Sequence, residues 1–382
     1  MQRRIPAVIM RGGTSKGVFF KESHLPSVPE VRDRILLAAF GSPDPYGRQI
    51  DGLGGAVSTT SKAAILSVSP DPAYDVVYLF AQVSIDRPLV DYKSNCGNIS
   101  SAVGPFAVDE GLVPVTEPVT RVRIHQKNTD KLIIAEVPVR NGRFDEEGDF
   151  AIPGVPGTGA KIPLRFVDPG GAVTGKLLPT GNPKDVLVAG EKEYEVTLID
   201  ASNPCVFVTA RSLGLRGTET SEIESRPELK RLIESIRAQA AVRLGFTATA
   251  EEATASCQAI PKIGIVSEPA SYTTWAGTRA EADAMHVCGR MMSMGTLHGS
   301  FPVSGSISLA AAARIPGTVV QECLRGDPGD GDILLGHPGG ILPVGVSMDL
   351  SGDAPRVREA VIYRTARRLM EGYVLVPERH FA

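Results

Sequence analysis

Several short segments of this 382-residue chain carry side chains able to move protons or hold an anion. In Asn95-Cys96-Gly97-Asn98, a cysteine stands where the small-residue run ISSAVGPFAVDEG begins a helix. Unpaired N–H groups and the positive end of the helix dipole favour a thiolate there, so such a thiol can exchange protons near neutral pH. Gly97 lets backbone approach a ligand, and the neighbouring amides suit a carboxylate. In Thr59-Thr60-Ser61-Lys62, behind the glycine-rich DGLGG, a lysine enters the apolar strand AAILSV. It is either a solvated strand-end lysine or one pointing into a partly desolvated cleft, where loss of water disfavours the ammonium and makes the amine a base. In Arg11-Gly12-Gly13-Thr14-Ser15-Lys16-Gly17, glycines, the hydroxyls of Thr14 and Ser15 and the cation of Lys16 form either an oxyanion cradle or a polar hairpin turn. It ends in Lys-Gly where a Walker loop needs Gly-Lys-Ser/Thr, and a strand follows where a helix should, which argues against an NTPase. GLGGAV likewise lacks the spacing and acidic partner of a dinucleotide loop.

The second half offers a matching but weaker set. Leu297-His298-Gly299-Ser300 runs into Val303-Ser304-Gly305-Ser306 ahead of an alanine-rich helix. His298 can orient a carboxylate or share a proton, with Ser300, Ser304 and Gly305 beside it. Asn203, in DASNPC, can donate a side-chain amide. The plain alternatives are a buried structural Cys96 and a merely exposed His298. The remaining histidines show no metal-ligand spacing, so no metal is expected.

These loops need elements to position them. β-branched and apolar runs recur along the chain: IPAVIM, GVFF, AAILSV, VVYLFAQVSI, TRVRIHQ, IIAEVPV, YEVTLI, CVFVTA, KIGIVS and AVIYRTA. Helical spacing is confined to Pro29–Phe40 and Pro227–Leu244, with shorter patterns at Ile99–Glu110 and Ser306–Arg314. Strands outnumber helices and come in succession, which predicts an α+β protein rather than a doubly wound sheet. The turn-rich LPTGNPKDVLVAGE marks a boundary after which the order of segments repeats. Ser15 then aligns with Asn203, Lys62 with Lys262, and Cys96 with Ser304. The spacing predicts two domains, 1–184 and 190–369, with a last strand near 370–382 returning to the first. A duplicated pair of domains creates a cleft, and matching loops would meet a ligand there from opposite sides.

Composition narrows the class. Apolar residues make up 42% and charged residues 22%, ordinary for a globular chain with real cores, and a net charge of −3 gives no footprint for nucleic acid or an anionic membrane. No apolar run approaches the ~20 residues of a membrane span, and Arg11 interrupts the first apolar stretch too early for a secretory signal. Five cysteines without a CxxC pair fit neither a disulfide framework nor a zinc knuckle. The expected compartment is the reducing cytoplasm. Homo-oligomerisation stays open.

RGGTSKGVFF, the DGLGG…TSK segment, NCGN followed by SAVGPFA, LLPTGNP and RTARRLMEG together resemble the PrpF family nearly end to end. That family contains 2-methylaconitate cis-trans isomerases, 3-methylitaconate Δ-isomerases and 4-oxalomesaconate tautomerases. The resemblance implies a diaminopimelate-epimerase-like fold: two pseudo-symmetric domains, each a β-barrel-like sheet wrapped around a central helix. It also implies that Lys62 and Cys96 are the catalytic pair and that His298 lies near the substrate. Each domain of an epimerase of this kind supplies a cysteine, whereas Ser304 stands at the second position here; a two-thiol racemase does not fit. The expected activity is a cofactor-independent 1,3-proton shift, or a cis-trans isomerisation, in a small unsaturated di- or tricarboxylic acid of the 3-methylitaconate or 2-methylaconitate type. Oxalomesaconate tautomerisation is the second reading. A Cys96–His298 hydrolase and a non-catalytic carboxylate-binding accessory protein are the rivals from other classes. Which of Lys62 and Cys96 removes the proton and which returns it is left open.

Overall fold

The computed structural model describes residues 1–92, 95–293 and 295–382. The chain makes two compact units: Met1–Arg165 together with Tyr363–Ala382, and Phe166–Ile362.

The first unit contains β1 (Gln2–Gly12), β2 (Ser15–Lys21), α1 (Pro29–Phe40), β3 (Lys62–Val68), β4 (Val76–Val83), α2 (Gly97–Asp109), β5 (Val119–Gln126) and β6 (Lys131–Arg140). The C-terminal strand Ala366–Pro377 returns to pair antiparallel with β1 along its length. From there the order is β1–β2 antiparallel, β2–β3 parallel, β3–β4 antiparallel, β4–β5 parallel and β5–β6 antiparallel. Strands such as VTRVRIHQ bury every second residue, as a sheet with one packed face requires. What that face packs on is α2, whose residues are all buried from Gly97 to Val108. A helix apolar and small on every side has no solvent face to keep, so the sheet wraps it. Gly104 shows how closely: a Cβ there would lie 2.6 Å from Val137 Cγ2. On the other face of the strands, Val18, Phe20, Ala63 and Ile65 pack with Ile35, Leu36 and Phe40 of α1.

The second unit contains β7 (Asp185–Ala189), β8 (Lys192–Asp200), β9 (Pro204–Thr209), α3 (Pro227–Arg243), β10 (Lys262–Ser267), β11 (Val287–Ser293), α4 (Val303–Ala313), β12 (Ile333–His337) and β13 (Gly340–Asp349). Its strand pairings repeat those of the first unit in the same order: antiparallel, antiparallel, parallel, antiparallel, parallel, antiparallel. Here α4 is the wholly buried helix, and α3 lies against the outer face with Val206, Val208, Ile263 and Ile265. The α+β class and the duplication expected from the sequence are both present. The registers agree residue by residue as well. Val18 pairs with Ala63 and Val206 with Ile263, so Ser15 and Asn203 each stand three residues before the matched pair, and Lys62 and Lys262 one before. The third correspondence holds in order but not in helical position, because Cys96 is the N-cap of α2 whereas Ser304 is the second residue of α4.

The changeover between units differs from the expected 184–190. It falls at Arg165/Phe166, and the return at Tyr363 rather than near 370. The turn-rich LPTGNP is not a linker, because the strand following it, β7, forms a hairpin with β8 and so belongs to the second unit.

Candidate active site

One rim of the first unit gathers the sequence-predicted residues of that half. β1 ends and β2 begins there, β3 starts there with Lys62, β4 ends there, and the C-terminal strand enters with Ala366 opposite Gly12. The loop between β1 and β2 is tied on both sides, through Gly13 N–H to the Thr365 carbonyl (2.9 Å) and Lys16 N–H to the Thr59 carbonyl (2.9 Å).

Lys62 opens β3 opposite Gln82 of β4 and is only 7% exposed. Its Nζ donates to Gln82 Oε1 at 2.5 Å and stands 5.1 Å from the centre of the Phe80 ring. Gln82 cannot turn away, since its Nε2 donates to the carbonyls of Ser58 (3.1 Å) and Ser61 (2.8 Å). The amine is therefore buried, fixed and paired with a neutral acceptor.

On β4, alternation puts Tyr78, Phe80 and Gln82 on one face, the face that α2 covers. Tyr78 is fully buried, and its phenol is pushed well above the ordinary range, first by burial and then by the charge of Cys96. Cys96 caps α2 through its carbonyl, which accepts from Ser100 N–H (2.9 Å) and Ser100 Oγ (3.1 Å), and among the described residues no side chain caps the helix. The thiol side chain is half-buried, and the first-turn amides have no capping side chain among the described residues.

Asn98 faces the β1–β2 loop. Its Oδ1 accepts from Thr14 N–H (3.4 Å) and from Arg364 Nε (3.1 Å), while its Nδ2 donates to Thr14 Oγ1 (3.1 Å). Gly13, at φ +51°, leaves no room for a Cβ, which would collide with Asn98 Oδ1 and come within 3.1 Å of Arg364 Cδ. Ser15 is buried and Lys16 half-buried on the same loop.

Ser61, a substrate-side candidate from its place next to Lys62, has an Oγ that donates to the Val83 carbonyl (2.9 Å) and accepts from Gln49 Nε2 (2.8 Å) at zero exposure. Adjacent residues entering a strand face opposite sides, so with Lys62 turned toward α2, Ser61 is turned away and serves structure. Two contributors were missed by sequence reasoning: Gln82, legible only as the polar end of an apolar strand, and Arg364, quoted in RTARR without a chemical role.

Asn203, His298, Ser300, Ser304 and Gly305 all fall in the second unit. Asn203 is 1% exposed, its carbonyl accepts from Ser308 Oγ of α4 (3.0 Å), and among the described residues neither atom of its side-chain amide has a partner. A buried amide left unsatisfied at both ends is unfavourable. His298 is half-buried, with Nδ1 accepting from Ser300 N–H (3.2 Å) and 3.3 Å from Ser300 Oγ. Ser304 and Gly305 are buried in the first turn of α4.

Residues 2–377 match the family model described as PrpF protein. Over 378 residues the chain is 48% identical to the 3-methylitaconate isomerase of Eubacterium barkeri, covering 98% of each chain. It is 42% identical over 390 residues to the 2-methyl-aconitate isomerase of Shewanella oneidensis, covering 99% of this chain and 98% of that one. A solved methylitaconate-delta-isomerase superposes with a TM-score of 0.86 at 45% identity, over 100% of this chain and 97% of that chain. A hydroxyproline epimerase from Agrobacterium vitis superposes with a TM-score of 0.55 at 15% identity, over 98% and 94% of the two chains, a likeness of fold alone. No helix among the described residues is long and apolar enough to cross a membrane. With the duplicated, helix-centred architecture of the epimerase-like fold and a full-length match to the family and to its isomerases, the chain belongs to the PrpF family and is an isomerase.

Proposed function

We propose that this enzyme moves a double bond by a 1,3-proton shift within a small unsaturated polycarboxylate of the 3-methylitaconate or 2-methylaconitate type, with Lys62 and Cys96 as the proton-transferring pair. The observation that carries the reading is the setting of Lys62: a buried amine held by the neutral Gln82 Oε1, on the strand face covered by the helix that Cys96 caps. Neutral Lys62 removes a proton from the carbon next to the C=C bond. The electron pair left behind delocalises over the allyl unit and into the attached carboxylate. First-turn amides of α2 and the hydroxyls of Thr14 and Ser15 stand where that negative charge can be held, the electrostatic contribution that usually dominates in such reactions. Cys96 returns a proton to the far carbon of the allyl unit. One turnover then leaves an ammonium and a thiolate, which reset by passing a proton between them or through water. The reverse assignment, with the thiolate as base, uses the same geometry.

The test is proton NMR in D₂O with 3-methylitaconate and 2-methylaconitate as probes. Deuterium should enter the allylic carbon as the olefinic signals change. Lys62→Met and Cys96→Ala should each slow turnover by about 10²–10⁴-fold while staying folded. Near-normal turnover in either variant would remove that residue from the pair, and no exchange with any unsaturated polycarboxylate would remove the reaction.

A further inference from the structure

Arg364 stands two residues before the C-terminal strand, at the end of the strand Arg356–Arg364 and next to Thr365, whose carbonyl anchors Gly13. The residue is 4% exposed. Its Nε donates to Asn98 Oδ1 (3.1 Å) and its Nη1 to the carbonyl of Tyr363 (2.9 Å). Both acceptors are neutral. Among the described residues no carboxylate pairs with this guanidinium and no acceptor takes Nη2. Its neighbours in the same unit are treated differently: Arg368 pairs with Glu110 (2.6 Å) and Glu371 (2.8 Å), and Lys21 with Glu110 (2.9 Å).

A buried cation without a counter-charge is strongly unfavourable, and burial lowers this one to about 10, so it remains protonated at neutral pH. Its position makes matters worse. Asn98 is the second residue of α2, so Arg364 lies against the positive end of the helix dipole, where a second positive charge is repelled. The guanidinium and the first-turn amides, which no side chain caps among the described residues, present donors at one place, and what they have in common is an anion to receive. Gly13 has no side chain, which keeps the loop in contact with both Asn98 and Arg364.

We propose that Arg364 is the anchor for a substrate carboxylate at the first turn of α2, and so a determinant of this enzyme's preference for polycarboxylates. The proposal rests on the proton-shift reading for the identity of the ligand, but its test does not depend on turnover. Arg364 touches the ligand as a binding residue, while the proton transfers stay with the pair named above.

The experiment is calorimetric titration of the wild type and Arg364→Met with 3-methylitaconate and with each of its two monoamides. The wild type should bind the diacid about 10- to 100-fold tighter than the monoamide lacking the anchored carboxylate. Arg364→Met should lose that factor and bind the diacid no better than that monoamide. Arg364→Lys should recover part of the affinity through its point charge but not the planar fork. Thermal melts identify folded variants, and Arg364→Gln serves where the methionine variant does not fold. A folded Arg364 variant without a cation that binds the diacid with wild-type affinity overturns the anchor and leaves the proton shift standing. Absence of deuterium exchange with intact diacid discrimination overturns the proton shift and leaves the anchor standing.

Discussion

Replacing Arg290 by methionine should destabilise the second unit, although it removes a buried charge. Arg290 is fully buried in β11, and burial lowers its pKa. Its Nε donates to the Glu219 carbonyl, its Nη1 to the carbonyls of Gly289 (2.8 Å) and Gly336 (3.4 Å), and its guanidinium lies 4.6 Å from the centre of the Tyr272 ring. Each charged hydrogen bond contributes roughly 1.5–3 kcal/mol, and a desolvated cation–π contact up to about 2 kcal/mol. Methionine refills the volume and relieves the desolvation, which offsets several kcal/mol. It also strands the carbonyls of Glu219 and Gly289, at about 1–3 kcal/mol each. With the lost bonds counted once, as the stranded carbonyls, and the cation–π contact added, relief of desolvation leaves a net loss on the order of 3 kcal/mol. For a unit of about 200 residues that lowers Tm by roughly 6–12 °C. Calorimetry reads this directly, and the single tryptophan, Trp275, reports on the second unit by fluorescence. Arg364→Met is the internal contrast. There a shift from 12.5 to about 10 corresponds to a desolvation cost of about 3 kcal/mol, set against two hydrogen bonds from the charged guanidinium at roughly 1.5–3 kcal/mol each, so its stability should fall by about 0–3 kcal/mol, less than for Arg290→Met. If Arg290→Met left the midpoint unchanged, or Arg364→Met fell further than Arg290→Met, satisfaction by carbonyls would not be what separates these two arginines.

Gln82→Glu exchanges the neutral acceptor of Lys62 for a carboxylate; it should hold the amine as an ammonium and lower kcat at neutral pH by at least about 10-fold, with activity recovering as the pH rises, measured as a pH–rate profile. Brief alkylation of the folded enzyme should modify the half-buried Cys96 and Cys257 and spare Cys205, Cys288 and Cys323, read by peptide mass spectrometry. Burial raises the thiols of Cys205 and Cys323 to about 11 from 9.0, so the folded state keeps protons that the unfolded state gives up. The sign is therefore negative: that share of stability is whole below pH 9 and declines as the pH climbs toward 11, which urea midpoints at stepped pH will show.

Most of the fold was legible because it rests on local alternation. Strands of period two and four helices, two amphipathic and two short and apolar, follow from the sequence, and the repeat of three loop-to-element junctions announced the duplication that the strand registers reproduce. The boundary was misread because LPTGNP has the composition of a linker, and composition does not say whether the following strand pairs forward or back. Ser61 is a different case, since the alternation that places Lys62 toward α2 also turns its neighbour away. Arg364 was beyond reach for a physical reason. In RTARR the arginines read as a solvated charge run, and in the structure Arg367 is indeed exposed and Arg368 paired, while Arg364 is buried. What distinguishes Arg364 is the absence of a counter-charge, and an absence becomes visible only when all the neighbours are in place. Lys62 and Arg364 share that property: each is a buried cation-forming group held by an uncharged amide, Gln82 in one case and Asn98 in the other. An amide fixes the position of such a group without neutralising it. A carboxylate in either place would add a counter-charge where the amide adds only a fixed dipole.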